Sequence, residues 1–589
     1  MVRLMTLRAH VLCLFLSFGT VFGLHETVPN IIVIMADDLG WNDVGFHSSN
    51  EIHTPNIDAL AYNGIILNRH YVLPSSTPSR TAFFSGKYPI RMGMQGDDIQ
   101  GGEPRGLPLS VRILPEYLRG LGYTTKLIGK WHLGYHTPQH TPLHRGFDSF
   151  LGFYNSHVSY YDYKYSFQNM SGYDMHRGDA PAYGLTDKYV TDLFTDEAVR
   201  IIEGHDPTRP LYLQISHLAV HAPLENPQDY DHHDKRFLYL PEPRRKYARM
   251  VWKLDESVGR IVHSLGQQGM LRDSVILFLT DNGAASIGKF RNFGSNYPLR
   301  GMKYTLYEGG VRGIAVLWSP RLSKAARVCD DLVHITDWLP TLYAAATGDV
   351  NDLGEIDGVN QWRVLNDGYP TVRDKLLLNI DEVSKTEGAI YKQYKLLRGS
   401  IDGGYYDGYY NEFRHSYISY YNDSKKNAQD DTPSYTDIIL KSAVSQSITY
   451  HLGGPTTQPS TMLQLRREST VHCGYNFTYR NNFVTCNVTE CLFDIESDPC
   501  ETRNIVNQYP RIARELDQFL EQYGRNVTVQ LKPPVDWLAD PRRTNNTWEP
   551  WIPSDDTFYL YNAAAQLAGL TCYIHIGLVL VAVVCKAFV

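Results

Sequence analysis

The sequence predicts an α/β fold: a doubly wound, mostly parallel sheet flanked by helices, followed by a smaller C-terminal α+β domain. Three observations predict it. Short apolar runs at 31–36, 125–128, 211–215 and 275–279 are bounded by polar or turn residues and are too short for helices, so they read as buried parallel strands. Helical patterns lie between them, with Val190, Leu193, Phe194, Ala198 and Ile201 on one face and Val251, Leu254, Val258, Ile261 and Leu265 on another. Beyond about residue 375 this alternation fades into Tyr-, Asn- and Gly-rich segments and a cysteine cluster, which marks the second domain.

Taken in order, Arg3 and Arg8 precede an apolar run at 11–22 that is short for a membrane span, so residues 1–23 read as a secretory signal peptide. Thr54 followed by Pro55 is a helix start with Gly64 as its stop, and Thr77 followed by Pro78 repeats the start signal. The first domain spans 24–375 and the second 376–532, the latter with a helix expected over about 510–523. Residues 533–566 are a Pro-rich linker, weakly ordered over 533–553. The apolar segment 567–585 is a membrane tail or a lipid-anchor attachment signal.

Lys plus Arg is 56 against 63 for Asp plus Glu, a net charge of -7, and no long basic run occurs, which argues against a nucleic-acid partner. An apolar content of 43% excludes a disordered chain. The 41 tyrosines read as amphipathic packing in loops and interfaces. Once Cys13 leaves with the signal and Cys572 and Cys585 with the tail, Cys473, Cys486, Cys491 and Cys500 suggest two local disulfides of undetermined pairing, with Cys329 left over. Asn-x-Ser/Thr acceptors at Asn169, Asn422, Asn476, Asn487, Asn526 and Asn545 fit export through a eukaryotic secretory pathway.

Candidate chemistry gathers where a doubly wound fold places its ligands, beyond the C-terminal strand ends. Asp37 and Asp38 follow the first strand, and Asp281, Asn282 and Gly283 follow a later one. Four oxygen-bearing side chains without Cys suit a hard divalent cation such as Ca²⁺ or Mg²⁺. Ser76 places a hydroxyl just ahead of a helix N-terminus, where unpaired N–H groups favour an anion, with Arg80 one turn inside.

Ser76-Thr77-Pro78-Ser79-Arg80 resembles the Cys-x-Pro-x-Arg signature of the type I sulfatases, and Ser85-Gly86-Lys87 stands where that family has a Thr-Gly-Arg-like stretch. Gly129-Lys130-Trp131-His132, Val220-His221-Ala222-Pro223, Asp281-Asn282-Gly283 and Gly301-Met302-Lys303 before Glu308-Gly309-Gly310 follow in the family's order. The resemblance is dense over 29–373, and the stretches 36–47, 309–313 and 334–341 look most like the arylsulfatase B subgroup, which acts on N-acetylgalactosamine 4-sulfate. It implies an alkaline-phosphatase-like fold and a sulfuric ester hydrolase acting on sulfated carbohydrate, lysosomal or at the cell surface. It further implies that Asp37, Asp38, Asp281 and Asn282 hold one Ca²⁺, with the side chain at position 76 as another ligand. Lys130 and Lys303 would clamp the sulfate, Arg80 and His132 would hold and activate the nucleophile, and His221 would protonate the leaving alcohol.

One residue departs from the family. Its nucleophile is a formylglycine made from Cys, or in some bacterial members from Ser, and this chain has Ser76. Two other functions therefore stay open: a catalytically silent relative that binds sulfated glycans, and a phosphoryl-transfer sibling that uses the unmodified hydroxyl.

Overall fold

The computed structural model describes residues 28–228, 237, 239–410, 434–454, 456–473, 485–486, 490–530 and 532–553. Its main sheet contains β1 (Asn30–Ala36), β2 (Ile65–Leu67), β3 (Thr124–Lys130), β4 (Ser149–Phe153), β5 (His176–Arg177), β6 (Ala180–Pro181), β7 (Leu211–Ser216), β8 (Ser274–Thr280), β9 (Ala315–Trp318) and β10 (Arg327–Cys329). Their spatial order is β10-β2-β9-β8-β1-β7-β3-β4-β5-β6. The five central strands, β8, β1, β7, β3 and β4, are mutually parallel, with Ile32 of β1 opposite Leu213 on one side and Ile276 on the other. Every residue of β1, β7 and β8 is buried, because helices cover both faces of a parallel sheet, and this is why those strands read as unbroken apolar runs. Toward the two margins the pairing turns antiparallel between β8 and β9, β9 and β2, β4 and β5, and β5 and β6.

Helix α1 (Pro55–Asn63) starts on Pro55 and ends at Gly64. Helix α2 (Ser76–Ser85) begins one residue ahead of the Thr77–Pro78 signal. Its cap is Ser75, in extended backbone, so Ser76 is the first helical residue rather than the residue before it. Helices α3 (Val190–Glu203) and α4 (Glu242–Gln267) bury the two apolar stripes read from the sequence.

A second, antiparallel sheet runs β11 (Lys375–Asp381), β12 (Thr386–Tyr391), β13 (Tyr394–Arg398), β14 (Cys491–Asp494). Between β13 and β14 in sequence, helices α5 (Tyr435–Leu440), α6 (Ala443–Leu452) and α7 (Pro459–Glu468) return to the main body. There the Tyr435 hydroxyl donates to Asp58 of α1 at 2.8 Å and the Val444 N–H to Asn56 at 3.2 Å. Helix α8 (Pro510–Gly524) lays Ala513, Leu516 and Leu520 on Leu377, Ala389, Leu396 and Leu492 of the second sheet. Disulfides join Cys473 to Cys500 and Cys486 to Cys491, and Cys329 is free and buried.

The stretch expected to be weakly ordered, 533–553, is packed onto the main body instead. Trp548 is fully buried and donates its indole N–H to the Tyr165 carbonyl at 3.1 Å, and the Trp548 N–H bonds the Tyr173 carbonyl at 2.9 Å. Proline content signals the loss of regular structure, whereas order here comes from burying Trp548. In the tyrosine-rich stretch Tyr160, Tyr163 and Tyr165 are buried too, and the Tyr165 ring lies 5.5 Å from that of Trp548. Asn169, Asn526 and Asn545 are exposed. Asn422, Asn476 and Asn487, the signal at 1–23 and the tail at 567–585 lie outside the described residues. Among the described residues no helix is long and apolar enough to cross a membrane.

Candidate active site

The parallel strands β1, β3, β7 and β8 all end at one edge of the sheet, and the chain leaving them builds the site. Asp37 and Asp38 follow β1, Lys130 closes β3, His221 lies in the turn after β7, and Asp281 and Asn282 follow β8. The Asp37 N–H bonds the Ala219 carbonyl at 3.0 Å and the Val220 N–H bonds the Asp37 carbonyl at 2.8 Å, which ties the first and third of these turns together. Gly283 is needed where it stands: a Cβ there would lie 1.9 Å from the Gly309 carbonyl oxygen, and this close approach draws the Lys303 loop onto the end of β8.

Ser76, Arg80, Lys130, His132, His221, Lys303, Asp37, Asp38, Asp281 and Asn282 are all buried. At the mouth of α2 the Ser76 hydroxyl donates to Asp281 Oδ2 at 2.6 Å, with Asp37 Oδ1 at 3.2 Å, and accepts from Lys130 Nζ at 3.1 Å. Three carboxylates meet three cations. Lys130 Nζ lies 2.7 Å from Asp37 Oδ2, Lys303 Nζ 2.7 Å from Asp38 Oδ1, and Arg80 Nη2 2.8 Å from Asp281 Oδ2. His221 Nε2 is 3.6 Å from Asp38 Oδ2. His132 Nε2 bonds the Ile99 carbonyl at 3.1 Å, and its Nδ1 has no hydrogen-bond partner among the described residues. Asp38 and His132 both hold left-handed backbone, at φ 58° and 57°, a conformation that bulkier residues adopt only where the surroundings impose it.

The electrostatics follow from burial set against pairing. Desolvation alone would raise the Asp37 carboxyl, but Lys130, His221 and Arg80 outweigh it and Asp38, so Asp37 is held low and ionised. For Asp38, desolvation, reinforced by Asp281, wins over Lys303 and the carboxyl is pushed up. Lys303 is driven up by Asp38 in spite of its own burial. Burial takes His221 down to about 4, against the pull of Asp37 and with the help of Lys303 and Lys130. His132 is lowered by burial and then by Lys130 and Arg80, so its ring is neutral.

The donor set fits a divalent cation. Asp37, Asp38 and His221 bring ligand atoms within 4.8 Å of one another, and Asp281 reaches the same place through the Asp38 N–H, which donates to its Oδ1 at 3.3 Å. Among the described residues, Asp38 Oδ2 and Asn282 Oδ1 are buried oxygens with no hydrogen-bond partner, a cost that a bound cation would remove.

A profile of the sulfatase family matches residues 29–348, from the start of β1 past the last of these site residues. The chain belongs to the sulfatase family. It is 34% identical to mouse arylsulfatase J over 530 residues, which is 90% of this chain and 81% of that one. Human N-acetylgalactosamine-6-sulfatase is 33% identical over 348 residues, 56% of this chain and 65% of the relative. Among solved structures, a crystal structure of Ps i-CgsB in complex with k-i-k-neocarrahexaose superposes with a TM-score of 0.64 at 22% identity, over 90% of this chain and all of that one. The likeness in fold bears out the alkaline-phosphatase-like architecture.

In this sulfatase the ten residues singled out from the sequence are brought together by four strand ends, α2 and the 301–310 loop. The structure adds a cleft of about 610 Å³ above them, whose floor includes His221 and Lys303. Its walls contain residues the sequence did not single out. His157 stacks on His221 with ring centroids 5.2 Å apart and planes 22° from parallel. Asp98 accepts the Thr77 N–H at 2.8 Å, occupying one of the free donors at the start of α2. Lys532, Pro533, Pro534 and Val535 bring the C-terminal stretch to the cleft rim. None belongs to a motif with a spacing of its own, and His157 sits in a tyrosine-rich loop where no periodic pattern marks it.

Proposed function

We propose that the protein hydrolyses sulfate esters on sugars of the glycosaminoglycan type, with the side chain at position 76 as nucleophile. The observation that carries this reading is the setting of Ser76 Oγ: buried at the first residue of α2 and in contact with Asp281, Asp37 and Lys130, in the same charged cluster as His221 and Lys303, which line an open cleft. Lys130 and Lys303 are the cations placed to meet sulfate oxygens as negative charge builds on them. Arg80 orients the nucleophile through Asp281, and the His132 carbonyl accepts the hydroxyl of the next residue, Thr77, at 3.2 Å. As the oxygen at position 76 attacks sulfur it gives its proton to Asp281 Oδ2, to which it donates at 2.6 Å, while the sulfur–oxygen bond to the sugar breaks and the leaving oxygen takes a proton from His221. Burial holds His221 down to about 4, so the negative charge of an arriving sulfate, or an acidic compartment, favours its proton-bearing form.

Asp37, Asp38, Asp281 and Asn282, with the side chain at 76, would hold one cation, Ca²⁺ by the preference of an oxygen-rich set. Such an ion would supply positive charge beside the nucleophile. Signal, sequons and disulfides support residence in the secretory pathway, lysosomal or extracellular, with the tail at 567–585 as an attachment. The arylsulfatase B likeness makes an N-acetylgalactosamine sulfate the first substrate to try.

Ser76 itself favours a second reading, a relative that binds sulfated glycans without turnover. A formylglycine hydrate carries a second hydroxyl through which the sulfated intermediate collapses, whereas serine sulfate waits for water to attack sulfur. The phosphoryl-transfer alternative is weaker, because the metal-capable group contains one histidine and a two-zinc site calls for more. The deciding experiment is mass spectrometry of the tryptic peptide bearing position 76, on protein secreted from eukaryotic cells, together with turnover of sulfated N-acetylgalactosamine. Loss of two hydrogens from serine with sulfate release supports hydrolysis. Unmodified serine with tight binding and no release supports the silent reading.

A further inference from the structure

The cleft is wide enough for more than one sugar, and its charges are almost all committed. Arg105 is paired with Glu103 at 2.7 Å, Lys532 with Asp97 at 2.8 Å and Lys303 with Asp38 at 2.7 Å. Asp98 is taken up by the Thr77 N–H. Lys289 is the exception: among the described residues it lines the cleft, is exposed, and forms no ion pair, its ammonium lying 5.1 Å from the centre of the Phe290 ring. A positive charge over an aromatic face stays available to an anion in a way that a salt-bridged one does not.

Its position along the cleft matters more than its charge. Phe290 lies 6.3 Å from His221 and 5.8 Å from His157, ring centre to ring centre, so Lys289 stands on the stretch of cleft wall that carries these two histidines. With the scissile sulfate over Ser76 and the leaving oxygen at His221, the departing sugar extends past His221 toward Phe290. The two separations, 6.3 Å from His221 to Phe290 and 5.1 Å from Phe290 to the ammonium, keep the Lys289 charge within reach of a sugar held at His221 or of its neighbour.

We infer that Lys289 recognises a second anionic group on the substrate, a uronate carboxylate or another sulfate on the leaving sugar or its neighbour, so that the protein prefers multiply charged oligosaccharides to singly sulfated sugars. This rests on the sulfate-ester reading above and deepens it. The preference is modest and electrostatic: an exposed pair contributes at most about fivefold in affinity, somewhat more against an aromatic wall, and it weakens as salt shortens the screening length.

The test compares three substrates with the wild type and the Lys289→Gln and Lys289→Glu variants. They are sulfated N-acetylgalactosamine, the same sugar linked to a uronic acid, and its bis-sulfated form. The readout is kcat/KM, or Kd where no turnover occurs, at low and high salt. Lys289→Gln is expected to lower the value for one or both doubly charged substrates about three- to tenfold, a shift that shrinks in high salt, and to leave the singly sulfated sugar within twofold. Lys289→Glu deepens the loss. Loss on the uronate substrate alone identifies a carboxylate, and loss on the bis-sulfated sugar alone identifies a sulfate. An equal loss on all three substrates, or none on any, overturns the inference while leaving sulfate-ester recognition intact. Failure of the wild type to turn over or bind any of the three overturns the proposed function and the inference with it.

Discussion

Replacing Lys130 with methionine separates a site built to hold a cation from one that is merely a buried ion-pair network. In the ligand-free protein Lys130 Nζ is 2.7 Å from Asp37 Oδ2, and the two side chains are 1% and 0% exposed. The next positive charge, Arg80 Nη2, is 3.9 Å from the same oxygen. Methionine keeps the length and apolar stem of lysine but leaves Asp37 buried without its main partner, a change that costs about 3–5 kcal/mol when one half of a buried pair is removed. A divalent ion held by Asp37, Asp38 and Asp281 would supply the missing charge. The loss of stability is therefore expected to be about 3–5 kcal/mol in chelator and about 1 kcal/mol or less in millimolar calcium, measured from urea unfolding midpoints of both proteins in both buffers. In calcium the variant still loses turnover by about a hundred- to a thousandfold, the usual effect of deleting one donor aimed at developing charge. Equal destabilisation with and without calcium would refute the reasoning, because it would mean that these carboxylates do not share an ion.

Three further outcomes are expected. If wild-type Ser76 is found unmodified, Ser76→Cys secreted from eukaryotic cells gains formylglycine and raises sulfatase turnover by about a hundredfold or more; a converted but equally slow enzyme would show that position 76 does not limit the reaction. Burial holds His217 down to about 3, so between pH 6.5 and that value the unfolded chain binds a proton that the folded chain refuses, and its contribution is complete above pH 6.5 and lost as the pH falls. His217→Gln should accordingly narrow the stability difference between pH 7 and pH 4.5 by about 2–3 kcal/mol in urea titrations, and an unchanged difference would contradict the assignment. Chelation of divalent cations should weaken binding of a sulfated sugar by at least about tenfold in calorimetry, whereas affinity indifferent to chelator would remove the cation from the site.

How much of this was legible in the sequence depended on which physical signal each element leaves. Strands β1, β3, β7 and β8 announce themselves because both faces are buried, and Asp37, Asp38, Asp281 and Asn282 could be placed because they follow those strands directly. The two-residue strands β5 and β6 carry too few residues to set a period, and the sheet margins were not foreseen. Helix α2 was found from Thr77 and Pro78, but its start was misplaced by one residue because proline is tolerated throughout the first turn, where no N–H is needed. Nothing local says that α5, α6 and α7 return to α1 and α4, since their partners lie far off in the chain, 388 residues for Val444 and Asn56 and 184 for Ser447 and His263. The stretch 532–553 misled for a related reason: prolines deny it a helix or strand, and its order comes from Trp548, whose pocket is made by distant residues.

The charges explain why nucleophile, cation and sulfate have to be considered together. Each of the three cations facing Ser76 already has a carboxylate of its own, so an arriving sulfate can gain Lys130 or Lys303 only where Asp37 or Asp38 loses it. A bare buried carboxylate is costly, so these pairings alone resist an anion even among positive side chains. An ion held among Asp37, Asp38, Asp281 and Asn282 would reverse that balance, by compensating the carboxylates and leaving the lysines to the sulfate. By linkage the sulfated ligand must then tighten the cation as much as the cation tightens the ligand. This coupling runs mainly through the three carboxylates and the two lysines, and position 76 adds one ligand among five. A chain whose serine is never converted would keep most of it as a binding protein, so only the chemistry of residue 76 distinguishes turnover from capture.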